Sequence, residues 1–492
     1  MKFLAQTHQR RVACALVAFV FAILAALFLT RASNLSAPHV LSDGDLMNRF
    51  LLFPALFAAG VMALLSVSAS ASSQTTAVAV APAVPQPARP FQAQVVGLQW
   101  LNPLQRRDYP TEWQLLWTLG LAQPNKDDDM VKSDPKTFSK LQAIGIIANG
   151  NDGEETFKGY HHKYVEALTA RFHDIYFSSS TYFYNAHSLT DKKTWRELAG
   201  IHIEYALPEG RLDPVEAANY LRNDIISTFS IGNKAVPNAW SRDTPPDVRV
   251  TMGGANAGFT SLAAGLDYLQ AHPNETVWVM NWDAPSFPPK DEQINENMVM
   301  LVLAGPDYNT ERAPLAWIGY PATKKVGDFE AQKGQPPRQI QAWKAAVEMA
   351  ARNAGKQDSD IGYVIHDANN SHPASSERIG ALAQTLTTEL VDFDFTKQTF
   401  NTPALLGEMG AGTALTNVAL GIAYANHIGK TVLVAGTTNA EHPMAVLVSP
   451  PAKVRPIDSN APWFRARGGG SAFLPWWGLR HDAKPASQGY SR

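Results

Sequence analysis

The chain has 492 residues, a formal net charge of −2 and one cysteine. With 45% hydrophobic and 17% charged residues it can bury a large core, and its length suggests two or three domains. The near-neutral charge gives no electrostatic footprint for nucleic acid or anionic lipid. The lone Cys14 excludes an intramolecular disulfide and leaves the globular part without a thiol for catalysis or metal binding.

The first predicted elements are membrane-spanning. Val12 to Thr30 carries no charge, and Phe50 to Val67 is a second apolar run, interrupted by Pro54 and Gly60. Each run is long enough to cross a bilayer as a helix. Residues 1–68 are therefore predicted to form a membrane anchor with two transmembrane helices.

The distribution of basic residues predicts the orientation of this anchor. Lys2, Arg10 and Arg11 precede the first apolar run, which places the N-terminus in the cytoplasm. Two crossings would then return the body to the cytoplasm. The alternative is that the small residues of Ser66 to Ala71 form a cleavage site, which would send the body to the periplasm.

Residues 69–90 are rich in Ala, Pro and Ser and are predicted to form an extended linker. The body begins with a strand at Gln94 to Gly97 and a helix around Trp113 to Leu121. The aromatic-rich segment Phe172 to Tyr184 is predicted to be a buried strand. The acidic run Lys126 to Asp129 fits a solvated loop, and His161-His162 lacks the spaced partners of a metal site, so no metal or cofactor is expected.

Arg249 to Met280 predicts a strand, a tight turn at Gly253-Gly254, a helix and a second strand. Leu262, Leu266 and Leu269 recur at helical spacing, and Pro273 ends the helix. A further buried strand is expected at Asn297 to Leu303. A corner of this kind can present a nucleophile at a helix N-terminus, where the helix dipole would activate it. Here the corner holds only glycine and alanine.

The second half repeats this order of elements, which argues for a duplicated α/β core with two similar βαβαβ halves. The halves are predicted to span residues 91–310 and 311–455, followed by a Gly/aromatic tail over 456–492. The predicted elements of the second half are a strand at Trp317–Tyr320, a helix at Gln339–Asn353, a strand at Gly362–Ile365 that ends in His366, a glycine turn at Gly407–Thr413, a helix at Ala414–Ala425, and strands at Thr431–Val434 and Met444–Val448.

The segment Met252 to Ala263, MGGANAGFTSLA, resembles the nucleophile turn of thiolases and ketoacyl synthases. Gly254 falls where those enzymes have their cysteine. Val364 to Asp367 resembles their strand ending in an active-site histidine, which would be His366. The turn Gly407 to Gly412 resembles the one carrying their second histidine, which is replaced by Glu408. The resemblance implies a thiolase-like fold.

We call Gly254, His366 and Glu408 the relic pocket. The chemistry implied by the resemblance needs an activated thiolate beside backbone donors, and no neighbouring cysteine supplies one. A degenerate fold without a nucleophile, and so a non-enzyme, is the prediction. The alternative is an acyl-binding or acyl-transfer enzyme, which requires His366 and Glu408 within hydrogen-bond reach of each other.

The anchor, the linker and a thiolase-like body without a nucleophile together resemble the type VI secretion lipase-adaptor family of Gram-negative bacteria. Gly407 to Thr413 and Ala435 to Val448 carry the match. The resemblance implies an inner-membrane adaptor or chaperone that binds a phospholipase effector in the cytoplasm and delivers it to the secretion spike protein. A third interpretation is a membrane-anchored structural protein whose body forms a homodimer.

The C-terminal tail contains aromatic residues suited to protein contacts. Gly468 to Gly470 predicts a hinge, and Phe473, Trp476 and Trp477 follow it. Exposed aromatic residues are frequent anchors in interfaces. These three residues are therefore candidate partner-binding residues, and the alternative is a strap packed over the protein's own body.

Overall fold

A mixed β-sheet of eleven strands runs through the body of the protein. The computed structural model describes residues 90–104, 109–139, 141, 156–176, 197–285, 295–368, 373–390 and 392–466. All of these fall within one compact unit, residues 78–492. The predicted anchor 1–68, the linker up to residue 89, and the tail residues Phe473, Trp476 and Trp477 lie outside the described residues. No helix of the described part is long and apolar enough to span a membrane.

The strands alternate with helices along most of the chain. The strands are β1 (Gln92–Leu101), β2 (His202–Pro208), β3 (Asp247–Gly253), β4 (Thr276–Asp283), β5 (Asn297–Ala304), β6 (Ala316–Gly319), β7 (Ala322–Thr323), β8 (Ile361–His366), β9 (Thr399–Asn401), β10 (Thr431–Gly436) and β11 (Met444–Ser449). The helices are α1 (Thr111–Thr118), α2 (Asp129–Ser133), α3 (Pro135–Phe138), α4 (Phe157–Tyr176), α5 (Pro214–Thr228), α6 (Ala257–Ala271), α7 (Arg338–Asn353), α8 (Pro373–Glu389), α9 (Thr402–Leu406) and α10 (Thr413–Ile428).

Ten of the eleven strands form two five-strand arrays with the same internal order, and the short β7 pairs with β11. The first array runs β3-β2-β4-β5-β1, and the second, read from its own outer edge, runs β9-β8-β10-β11-β6. In each array the first three strands are parallel to one another, and each of the next two pairs antiparallel with the strand before it. Strand β1 pairs with β6 and so joins the two arrays. The boundary proposed between residues 310 and 311 falls in the connection from β5 to β6.

The two arrays share one layer of helices. Helices α6 and α10 pack between them, in a cluster that draws inward-facing side chains from both arrays. The opposite face of the first array packs against α4 and α5, and that of the second against α7 and α8. Because both faces of each array are covered, the central strands are almost continuously apolar, as strands β4 and β5 show. The mixed α/β class predicted from the sequence is therefore confirmed.

The two central helices approach closely at their N-terminal ends. A Cβ atom at Gly258 on α6 would lie 3.0 Å from both Ala414 and Leu415 at the start of α10. A Cβ atom at Gly436, the last residue of β10, would lie 2.6 Å from the side chain of Asn256 at the start of α6. Glycine at these two positions therefore lets the N-terminus of α6 meet the other half of the molecule.

One predicted element has the wrong type. The segment from Phe172 was predicted to be a buried strand, but residues 172–176 form the last turn of helix α4, and the remainder of the segment to Tyr184 lies outside the described residues. The buried side chains of this helix include Tyr160, Tyr164, Leu168 and Phe172. Their spacing of four residues places them on one helix face, against the strands. Aromatic density therefore reflected burial and not strand structure.

Candidate functional site in the C-terminal half

The corner that resembles a nucleophile turn lies between β3 and α6. Gly254 is exposed there, and a Cβ atom added to it would meet nothing within 4 Å. Helix α6 begins without a side-chain cap, because the side chain of Asn256 makes no capping hydrogen bond. Neither space nor a positive φ angle requires glycine at position 254.

His366 ends strand β8 and is 1% exposed. Its neighbour Ile365 points into the central layer, whereas Val364 packs in the cluster with α7 and α8. Since side chains alternate along a strand, His366 faces the same outer side as Val364. Its ring stacks on Phe395 at 5.9 Å, and its Nδ1 atom accepts a hydrogen bond of 3.3 Å from the amide of Ala368.

Burial lowers the pKa of His366 to about 4, and the neighbouring Asp367 opposes this only in part. The imidazole is therefore neutral at physiological pH, with Nδ1 as an acceptor for its own backbone. Helix α6 lies in the central layer, on the face of the sheet opposite to the one that His366 occupies. This geometry directs the imidazole away from the corner at Gly254.

Glu408 is exposed in the glycine turn that precedes α10. It lines a cavity whose wall includes neither Gly254 nor His366. Its carbonyl oxygen accepts a hydrogen bond of 2.6 Å from the amide of Asn295 in the other half. Glu408 therefore belongs to a different surface from His366.

Polar residues of the first half hold the glycine turn in place. The carboxylate of Asp283, at the end of β4, accepts hydrogen bonds from the amides of Ala284 at 2.8 Å and Ala411 at 2.9 Å. Asp283 also forms an ion pair of 2.8 Å with Arg211, whose guanidinium lies 3.7 Å from the ring centre of Phe157. Burial raises the pKa of Asp283 to about 6, against the opposing effect of Arg211. The turn is thus tied to the first half by a buried carboxylate.

Asn297 makes a second connection to the same turn. Its Oδ1 atom accepts a hydrogen bond of 3.0 Å from the indole of Trp100, and its Nδ2 atom donates to the carbonyl oxygen of Gly412 at 3.2 Å. Nδ2 also contacts the hydroxyl of Thr416. With Asn297 fully buried, these bonds satisfy both ends of its amide.

The cavity lined by Glu408 has a volume of about 640 Å³. It lies beyond the carboxyl ends of the parallel strands β8 and β10, where α/β sheets commonly bind ligands. Its walls come from helix α7, helix α8, the glycine turn and the loop between β10 and β11. The lining residues are Gln339, Trp343, Glu377, Arg378, Ala381, Glu408, Thr437, Thr438, Asn439, Ala440 and Glu441. We call this the C-terminal cavity.

Asp367 fixes the loop that forms one wall of the cavity. It follows β8, next to the end of β10, because His366 pairs with Ala435 in the parallel ladder. Its carboxylate accepts hydrogen bonds from the amide of Thr437 at 2.6 Å and from its hydroxyl at 2.8 Å, and a third of 2.8 Å from the hydroxyl of Thr438. Asp367 is 4% exposed, so these charge-assisted bonds form away from water and hold the loop rigidly.

The described residues of the cavity wall include three glutamates and one arginine. Arg378 donates to neutral acceptors, namely the carbonyl oxygen of Thr438 at 3.2 Å and the hydroxyl of Ser375 at 3.1 Å. Over the ranges that the structure describes, Arg378, Glu377 and Glu441 form no ion pair. The cavity therefore combines an acidic rim with a floor built from Trp343 and Ala381.

The sequence predicted Glu408 as a site residue but not the cavity around it. The wall comes from four segments that are far apart in the chain, and most of its residues are common surface types. The sequence carried one local signal for the cavity. His366-Asp367 stands at the end of strand β8, and Thr437-Thr438 stands at the end of the neighbouring parallel strand, β10. A carboxylate opposite two hydroxyl residues at adjacent strand ends indicates a pinned loop.

Together, the fold and the cavity define a mixed α/β protein of two similar halves, with an open acidic cavity at the strand ends of the second half. Residues 315–450 match the family described as type VI lipase adapter protein Tla3, C-terminal. This match confirms the lipase-adaptor resemblance for that part of the chain. The described residues of the cavity wall all fall within the matched range. Among curated proteins, none matches this sequence.

Solved ketosynthase structures resemble the chain in part. An oxazolomycin ketosynthase domain of Streptomyces albus is 12% identical, covering 77% of this chain and 100% of its own, with a TM-score of 0.43. The ishigamide ketosynthase/chain length factor is 16% identical over 73% of this chain and 99% of its own, with a TM-score of 0.44. The module 6 ketosynthase of the bacillaene synthase from Bacillus subtilis is 10% identical, covering 73% of this chain and 70% of its own, with a TM-score of 0.46. These values describe a partial likeness and carry no functional argument.

Proposed function

We propose that this protein is a non-enzymatic adaptor that binds a type VI secretion phospholipase effector and delivers it to the secretion spike protein. The observation that carries the proposal is the match of residues 315–450 to the lipase-adapter family, together with the C-terminal cavity that this region builds. An adaptor needs a surface that can receive another protein, and the cavity provides a concave one.

The geometry of the relic pocket supports a binding role over an acyl-transfer role. Acyl transfer requires a nucleophile, a base within hydrogen-bond reach and donors for the oxyanion. Position 254 is glycine, His366 is a buried neutral imidazole on the outer face of its strand, and Glu408 lies on the cavity wall. The three positions do not share one described cavity.

The proposal places the anchor 1–68 in the inner membrane and the body in the cytoplasm, where an effector is loaded before secretion. A C-terminal fusion to a reporter that is active only in the cytoplasm tests this part. A second C-terminal fusion, to alkaline phosphatase, is active only in the periplasm. Activity of this fusion would instead support cleavage at the segment Ser66 to Ala71.

The binding role is tested by co-purifying the full-length chain from its native host and identifying its partners by mass spectrometry. We expect a phospholipase and a spike protein in the eluate, and loss of lipase secretion when the chain is deleted. Repeated recovery without either partner, with normal lipase secretion in the deletion strain, would contradict the proposal.

A further inference from the structure

The C-terminal cavity has a composition that selects for one kind of ligand. Its rim carries Glu377, Glu408 and Glu441, while its floor includes Trp343, which is 4% exposed, and the half-buried Ala381. The volume of about 640 Å³ falls within the range of roughly 300–1,000 Å³ that is typical of ligand pockets. A ligand that fills it must satisfy both an apolar floor and an acidic rim.

Among the described residues of the wall, Arg378 is the one cation, and it forms no ion pair with Glu377 or Glu441. The guanidinium of Arg378 is directed to the carbonyl oxygen of Thr438 and the hydroxyl of Ser375, which anchors the loop to helix α8. Glu377 and Glu441, which form no ion pair among the described residues, therefore make this part of the rim acidic. Carboxylates grouped around a concave surface favour a cationic ligand and speed its association.

The cavity is also preformed. Asp367 accepts three hydrogen bonds from Thr437 and Thr438, and Arg378 bonds the same loop from the other side. A further bond of 2.9 Å joins the carbonyl oxygen of Glu441 to the amide of Val326. Because the loop is held at both ends, a ligand would lose little affinity to ordering it.

From these observations we infer that the C-terminal cavity is the docking site for a partner segment that carries arginine or lysine next to apolar side chains. Such side chains have an apolar stem that packs against an indole and a charged head that reaches carboxylates. The inference rests on the proposed adaptor function, since the segment would belong to the delivered effector.

The experiment measures the binding of two labelled heptapeptides to the full-length protein by fluorescence anisotropy. One peptide alternates arginine with leucine, and the other alternates glutamate with leucine. We expect the cationic peptide to bind at least about tenfold more tightly, and we expect its binding to weaken when the salt concentration is raised from about 0.05 to 0.5 M.

Three variants assign this binding to the cavity. The triple variant Glu377→Gln, Glu408→Gln, Glu441→Gln should weaken binding of the cationic peptide about tenfold. Its matched control is Glu209→Gln, Asp307→Asn, Glu330→Gln, which changes the net charge equally at exposed positions outside the cavity and should change binding less than about twofold. Ala381→Phe fills the cavity without changing charge and should abolish binding of the cationic peptide.

Equal binding of the two peptides, or equal effects of the two triple variants, would overturn the inference. A parallel capture of the lipase by the same full-length variants separates it from the proposed function. If the wild-type chain captures lipase and the cavity variants capture it equally, the adaptor function stands and the cavity is not the docking site. If the cationic peptide binds through the glutamates but no lipase is captured, the docking site stands and the lipase assignment fails.

Discussion

The two halves of this molecule place a buried aspartate at the carboxyl end of a parallel strand, but they use it differently. Asp283, the last residue of β4, accepts a hydrogen bond from the amide of Ala411 and so reaches across to the second half. Asp367, after β8, binds Thr437 and Thr438 within its own half. The first aspartate pairs with Arg211, whereas the second is satisfied by amide and hydroxyl donors alone.

This difference explains why only one of these strand ends presents the C-terminal cavity. Asp283 draws the glycine turn of the second half against the first half, and Asn297 reinforces the contact. Asp367 instead holds a loop against its own strand and leaves the space between α7, α8 and that loop unfilled. The same strand order therefore supports a closed junction in one half and an open cavity in the other.

Removing the carboxylate of the closed junction should have the largest effect. We expect Asp283→Ala to destabilise the protein by about 3 kcal/mol, because it leaves Arg211 unpaired and the amide of Ala411 without its acceptor. Urea unfolding followed by tryptophan fluorescence measures the change. Asp127→Ala, at an exposed ion pair with Lys132, is the control and should leave the midpoint unchanged.

The same carboxylate should make stability depend on pH in a specific direction. The pKa of Asp283 is about 6 in the folded protein, above its ordinary value of 3.8, so the folded state retains a proton that the unfolded state has released. Its contribution to stability therefore grows as pH falls from 6 towards 4, by up to about 3 kcal/mol. Asp283→Asn should lack this gain, and identical pH profiles for the two proteins would contradict the assignment.

His366 should show the opposite dependence. The pKa of His366 is about 4 in the folded protein, below its ordinary value of 6.5. Between these two pH values the imidazole is protonated in the unfolded state and neutral in the folded state. The stability contribution is complete above pH 6.5 and is lost as pH falls towards 4, by up to about 3 kcal/mol. His366→Gln removes the titration, and unfolding at several pH values should show a flatter profile for the variant.

Loosening the loop of the open cavity should have a smaller global effect. We expect Asp367→Ala to cost about 2 kcal/mol, because it removes a buried acceptor of three hydrogen bonds within a single loop. Hydrogen exchange should accelerate at residues 437–441 more than in β10. Uniformly faster exchange across both halves would show that Asp367 supports the whole fold and not the cavity wall.

Restoring the missing nucleophile should have the smallest effect. Gly254→Cys, in a Cys14→Ser background, should fold with unchanged stability, since the added Cβ meets nothing within 4 Å. Its thiol should react with iodoacetamide as an ordinary cysteine and should not be acylated by an acyl thioester, because His366 faces the other side of the sheet. Acylation detected by mass spectrometry would revive the acyl-transfer alternative.

The amino-acid sequence determined the elements and the class of the fold. Helical spacing of apolar residues located the helices from Arg249 to Met280 and throughout the second half, and short continuous apolar runs located the strands. The reason is that these helices bury one side, whereas the central strands bury both faces. The prediction was wrong for the segment beginning at Phe172, which belongs to helix α4. Its aromatic composition indicated burial, but the four-residue spacing of buried residues in α4 indicated a helix.

Only the tertiary structure decided where functional groups meet. His366 and Glu408 looked like remnants of one pocket, but strand alternation sends the first to the outer face and the glycine turn puts the second on a cavity wall. That cavity is formed by segments that are separated by up to about a hundred residues, so no local sequence pattern predicts it. The physical reason is that burial and periodicity act along the chain, whereas a cavity depends on how separate elements pack and what they leave unfilled.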